Sequence, residues 1–334
     1  VRLKLVFSYD GSKFQGSQTQ PHENGVEDAL GVALAHVGIF SKIISSSRTD
    51  KGVHANNQVA CVECGEHFKD FVRLRSLVNR HAHPAIHVKF ISRAQDCFHP
   101  RYNATARAYR YVVNHGEFSP FLSPYETFLP KFDLNLANEL LALFVGEHDF
   151  SAFMKLGSDV KSPVRRVAKA FCYARGERTI IVFKANGFLR AQVRLMVASV
   201  FKALELAKSG KFRQTQAQEF KFERAEAANL GTNLNKNGSD NILTKSHESA
   251  NLTAKRAECV ASNFDDKNSN LNKAASVDTE KKRAKIGNKN SSNCRDENFL
   301  KAKELLRQAI YDQKPLTRIP APPNGLYLNR VFYE

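Results

Sequence analysis

Apolar positions change period several times along the first 113 residues, and each change marks a new element. Between Arg2 and Tyr9, Leu3, Leu5 and Phe7 alternate against Lys4, Val6 and Ser8, the two-residue period of a strand. Val26, Ala29, Leu30, Ala33, Leu34 and Val37 then fall at helical spacing, and Gly38 is placed to close that helix. Strand-like runs at 42–47 and 57–63 flank a polar loop at 48–54. A helix carrying Phe68, Phe71, Val72 and Val78 follows, then strands near 86–91 and 105–113. A second stretch repeats this alternation, with a helix over 134–145, paired strands at 164–173 and 178–184 around Arg175-Gly176-Glu177, and a long helix over 188–206. A short helix near 299–311 and a strand near 325–332 complete the pattern. This order predicts an α+β fold of two similar halves, each a sheet with helices packed against it. The first half is residues 1–113, and the second is 114–212 plus 299–334.

The periodicity stops between the halves. From Asn229 to Asn298 there are 14 Asn and a single aromatic residue, Phe264. Such a composition buries too little apolar surface to offset ordering entropy of roughly 1–2 kcal/mol per residue. Residues 213–298 therefore read as an Asn/Lys-rich disordered insertion in a surface loop.

Charge adds a partner class. The 334 residues carry 50 Lys and Arg against 33 Asp and Glu, a net +17. Residues 211–300 hold 16 basic and 12 acidic side chains, so +13 belongs to the remainder. That excess points to a polyanion, with nucleic acid ahead of an acidic membrane. No apolar run approaches the ~18–20 residues of a membrane span, and no basic-then-apolar leader precedes the first strand. Six cysteines, at 61, 64, 97, 172, 259 and 294, are too sparse for a disulfide scaffold. The expected location is cytoplasmic.

The densest chemistry lies in Ser45-Ser46-Ser47-Arg48-Thr49-Asp50-Lys51-Gly52-Val53-His54-Ala55. On composition alone this is equally a polar hairpin and a functional loop. On the strand at 105–113, period two puts Arg107, Tyr109 and Tyr111 on one face. Tyr109 could stack a base, although by itself it reads more readily as a core tyrosine. Arg190 and Arg194 stand at i and i+4 on the predicted helix, and Asp50 is the candidate counter-charge for Arg194.

Arg48-Thr49-Asp50-x-Gly52-Val53-His54-Ala55 resembles the signature of the tRNA pseudouridine synthase A family. Further blocks follow in family order: Tyr9-Asp10-Gly11-Ser12-x-Phe14-x-Gly16-x-Gln18, Phe98-His99-x-Arg101-Tyr102 with Ala104-Thr105-Ala106-Arg107-x-Tyr109-Arg110-Tyr111, and Gly146-Glu147-His148-Asp149-Phe150. Then come Ser162-Pro163-x-Arg165, Lys184-Ala185-Asn186-Gly187-Phe188, Val193-Arg194 and Ala321-Pro322-x-x-Gly325-Leu326-Tyr327-Leu328. The resemblance covers about 1–210 and 299–334. Ser17 stands where the family usually has Trp and Val164 where it often has Trp, and the chain contains none.

The resemblance implies a pseudouridine-synthase-type catalytic domain with a central cleft. It implies conversion of uridine to pseudouridine at positions 38, 39 and 40 of the tRNA anticodon stem-loop by a homodimer without cofactor or metal. It assigns Asp50 as nucleophile, Tyr109 as the base-stacking residue and Arg194 as the partner of Asp50. Arg48 would occupy the space left by the flipped nucleotide. The sequence alone supports only a basic surface, on which Arg101, Arg107, Arg110, Arg165, Arg166 and Lys169 are candidate phosphate contacts, although each singly reads more readily as a solvated charge.

Competing readings are narrower. A non-catalytic RNA-binding protein on the same fold is the alternative. A glycoside hydrolase also cleaves a bond to C1′ but usually needs two opposed carboxylates, where this loop offers one. Cys61, Cys64 and His67 suggest zinc only superficially, because residues three apart on a strand face opposite ways. No GxxxxGK[ST] or GxGxxG loop is present.

Overall fold

Strand β1 (Arg2–Tyr9) buries Leu3, Leu5, Phe7 and Tyr9 and leaves the alternate residues half-buried on its other face, as its period predicts. The computed structural model describes residues 1–210, except Gln20, His22, Glu23 and Asp159, and residues 296–333. The expectation of a disordered insertion at 213–298 therefore lies, up to residue 295, outside the described residues.

On either side of β1 run β3 (His54–Glu63) and β4 (Ile86–Arg93), both antiparallel to it. The short β2 (Ile44–Ser45) pairs with β3. In the second half, β5 (Ala104–Asn114), β9 (Arg178–Ala185), β8 (Val164–Arg175) and β7 (Gly146–Asp149) form a continuous antiparallel run, with β6 (Thr127–Phe128) beside β5. The last strand, β10 (Leu326–Tyr333), enters between the halves, parallel to β3 and antiparallel to β5. One sheet results, in the order β4-β1-β3-β10-β5-β9-β8-β7. The two runs of alternating sequence thus share a ladder, and the C-terminal strand is its middle.

Helices α1 (Val26–Ala35) and α2 (Phe71–Ala82) belong to the first half, α3 (Leu134–Ala142) and α4 (Gln192–Ser209) to the second, and α5 covers 296–311. Asp70 caps α2 by accepting from the Arg73 N–H at 2.9 Å, so Phe68 falls outside the helix that its spacing suggested. Each half ties a helix to a strand edge with one asparagine. Asn79 of α2 donates to Val88 O and accepts from Val88 N–H, and Asn138 of α3 does the same with Cys172 of β8. These amides satisfy strand groups that would otherwise form an open edge.

The long helix begins four residues later than the apolar spacing predicts. Ala191 adopts φ 59°, in the left-handed region, and α4 starts at Gln192, whose Oε1 accepts from Leu189 N–H at 2.8 Å. Arg190 therefore precedes the helix and does not share a helical face with Arg194. At the other end Gly210 closes α4 with φ 65°. A Cβ on Gly210 would stand 3.0 Å from the Asn298 amide nitrogen, so the chain leaves and returns at one place. Among the described residues no helix is long and apolar enough to cross a membrane.

Candidate active site

The loop between β2 and β3 is held by polar groups that the packing buries. Gln58 on β3 accepts from Ser46 Oγ at 2.7 Å and donates to Ser47 O at 2.8 Å, which fixes the loop entrance. Thr49 is pinned by Ser17 and by the Tyr9 hydroxyl, 2.7 Å from Thr49 Oγ1. Two glycines make the close approaches possible. A Cβ on Gly11 would lie 2.1 Å from Val53 O, and Gly52, at φ 77°, faces Pro323 Cγ at 3.0 Å from its missing Cβ. The residues flanking Asp50 are therefore immobilised by β1, the loop after it and the segment before β10.

Asp50 itself keeps a partly exposed carboxylate. Its Oδ2 lies 3.4 Å from Arg194 Nη1, with side-chain exposures of 32% and 16%. Arg194 occupies the first turn of α4, where the helix dipole disfavours a cation. It is compensated by Asp50 and by Ala321 O, which accepts from Arg194 Nε at 2.7 Å. Ala321 N–H in turn donates to Arg194 O at 3.1 Å. The next residue, Pro322, accepts from the Tyr111 hydroxyl at 3.0 Å, tying the same segment to β5. The arrangement can present one carboxylate oxygen at a fixed point beside a cation.

Tyr109 of β5 is 7% exposed and meets Phe188 edge to face, with ring centroids 5.2 Å apart. Burial pushes its hydroxyl up to about 12, with Arg107 opposing and Asp50 reinforcing, so the phenol stays neutral at ordinary pH. The structure thus brings Asp50, Tyr109 and Arg194 into one neighbourhood. Arg48 stands two residues from Asp50 with its side chain exposed.

Two contributors were not legible in this role. Arg107 reads from the sequence as a phosphate contact, yet its guanidinium is occupied by Ser47 Oγ at 3.3 Å, Ser46 O at 3.3 Å, Asn186 O at 2.9 Å and Arg101 O at 2.8 Å. Its place on the Tyr109 face was the available signal. His54 is buried, with Nδ1 accepting from Gly11 N–H at 3.0 Å and Nε2 donating to Pro124 O at 3.0 Å, a pattern that only the neutral Nε2–H tautomer satisfies. Its ring stacks on Tyr327 at 4.7 Å. His54 therefore joins the loop after β1, the segment before β6 and β10 at the base of the Asp50 loop.

A family model described as tRNA pseudouridine synthase matches residues 5–103 and 140–229. The chain belongs to the tRNA pseudouridine synthase family. It is 49% identical over 219 residues to tRNA pseudouridine synthase A of Campylobacter jejuni subsp. doylei, covering 66% of this chain and 89% of that protein. The same-named protein of Helicobacter hepaticus is 39% identical over 203 residues, covering 59% and 82%, and that of Wolinella succinogenes 38% over 200, covering 60% and 79%. The pseudouridine synthase match takes in Arg48, Asp50 and Arg194, whereas Arg107 and Tyr109 fall between its two stretches. It also runs to residue 229, into the segment read as an insertion.

Proposed function

We infer that this protein isomerises uridine to pseudouridine in tRNA, with Asp50 as the nucleophile. The observation that carries the reading is the Asp50–Arg194 pair, set on a loop that the side chains of Tyr9, Ser17 and Gln58 hold in place. The reaction breaks the N1–C1′ bond, turns the base while it stays bound, and joins C5 to C1′. Atoms balance within the substrate, so the protein has to supply a fixed carboxylate, a sheltered pocket and a grip on the base. Arg194 orients Asp50 and balances its negative charge. Tyr109 stacks the detached uracil, for which a neutral aromatic face contributes roughly 1–3 kcal/mol. Arg48, exposed at the head of the loop, fills the gap left when the nucleotide leaves its helical stack. The targets are positions 38, 39 and 40 of the anticodon stem-loop, and the working unit is a homodimer in the cytoplasm. The resemblance to the tRNA pseudouridine synthase A family supports this reading, and the net +17 suits a polyanionic substrate.

The test is incubation of the purified protein alone with unmodified tRNA, followed by mapping of pseudouridine. Product at 38, 39 or 40 is expected for the wild type and none for Asp50→Asn. Modification elsewhere would overturn the target, and no product in any tRNA would overturn the activity.

A further inference from the structure

Three arginines near the Asp50 loop answer to no carboxylate. Arg101 comes from the turn before β5, Arg107 from β5 itself and Arg165 from the start of β8. Among the described residues none of the three forms a salt bridge. Of the three, only Arg101 acts on a nearby carboxyl, that of Glu27, which burial raises against the opposing effects of Ser45, the Thr19 backbone and Arg101. Arg107 is surrounded by neutral oxygens and donates to Arg101 O, which sets the position of that residue. Arg165 is held by Ser162 O and Val164 O, 2.8 and 2.6 Å from Nη1, and lies against Gly187, where a Cβ would reach to 3.6 Å from Nε. Burial pushes the Arg107 guanidinium down from its ordinary value; Tyr109 and Tyr333 oppose this, and the charges of Arg101 and Arg165 add to it. The three cations therefore share one electrostatic neighbourhood, and two are locked in geometry before any ligand arrives.

Like charges held together and partly desolvated raise one another's energy, and an anion placed among them lowers it. Arg107 and Asp50 both act on the Tyr109 hydroxyl, so this anion would sit beside the base pocket. Resting on the tRNA reading above, we propose that Arg101 and Arg165, floored by Arg107, bind one phosphodiester of the RNA backbone next to the target nucleotide. Guanidinium forks match phosphate oxygens and fix register without reading sequence. Clamping the neighbouring phosphate determines which nucleotide is presented to Asp50.

The experiment measures binding of an anticodon stem-loop RNA to the full chain, with each phosphodiester around the target uridine replaced in turn by a neutral methylphosphonate. One position is expected to weaken binding about tenfold, as loss of a charge-assisted contact does. Arg165→Gln should weaken native RNA by a similar factor, lower the slope of log K against log[salt] by about 1, and cost nothing further on that methylphosphonate RNA. Additive losses at every position overturn the site. For wild-type protein, a scan with no sensitive position overturns it as well, whether or not the variant folds. Pseudouridine formation by the wild type on native RNA is read in parallel. Its presence with additive losses removes only the phosphate site, and its absence removes the activity.

Discussion

Ser17 and Thr49 bond to each other in both directions across 32 residues: Ser17 N–H donates to Thr49 O at 3.1 Å, and Thr49 N–H donates to Ser17 Oγ at 2.8 Å. A small hydroxyl at this position thus fixes the residue before Asp50. Ser17 is buried, so Ser17→Ala leaves Thr49 N–H unpaired away from water. The expected cost is about 1–3 kcal/mol of stability, read by urea unfolding, together with a kcat that falls more than KM rises. Unchanged stability and turnover would show that the loop holds without the bridge.

Asp50→Asn keeps the shape of the side chain and removes its charge. Product is expected to fall below about a thousandth of wild type, the scale of single catalytic-residue losses, while RNA affinity stays within a few-fold. Single-turnover assays and filter binding measure the two quantities. Turnover above that level would exclude Asp50 as the nucleophile.

Tyr109→Phe preserves the ring that meets Phe188, and Tyr109→Leu removes it. If the ring face grips the base, Phe should cost clearly less than Leu in kcat/KM. Equal losses from the two variants would instead assign the work to the hydroxyl.

His54 links stability to pH. Burial pushes its imidazole below the ordinary value, with Pro124 O and the Asp10 carboxylate, 3.4 Å away, pulling upward. The other groups against it, Tyr125 and Tyr327, have phenols raised above their ordinary value and stay neutral at this pH. The unfolded chain takes up a proton on this residue near its ordinary value of about 6.5. The contribution is therefore complete above that pH and is lost as pH falls toward the folded value. Denaturation midpoints should drop between about pH 7 and pH 5, and His54→Asn should flatten that slope. An identical slope in the variant would place the acid sensitivity elsewhere.

Gly210 and Asn298 lie against each other, so a short Gly/Ser bridge replacing residues 230–295 should close the chain without strain. Loop closure changes by only about 0.6 kcal/mol per doubling of length. The shortened protein is expected to fold and to modify the same tRNA positions, with a modest rise in KM from lost positive charge. Loss of kcat with the fold intact, seen by circular dichroism and pseudouridine mapping, would make the segment part of the site.

Periodicity by itself located most of the longer strands and helices, because burial of one face is a local demand that Leu3, Leu5 and Phe7 or Leu30, Ala33 and Leu34 express within a few residues. The short β6 and β7 left no such pattern. The chemistry-bearing loop was equally legible, since Arg48, Asp50, Gly52 and His54 are adjacent in the chain. Only tertiary structure decided which elements meet. β10 lies between β3 and β5, where Asn57 donates to Asn329 O across 272 residues, and no local pattern records such a pairing. Ala191 started α4 late through its backbone conformation, which apolar spacing does not encode. Arg107 became an internal tie and not a free surface cation because four neutral oxygens converge on it, three of them from segments 60 or more residues away. Period and turn chemistry act over a few residues, whereas the partners of a strand or a charge are set by burial and hydrogen-bond satisfaction over the whole fold.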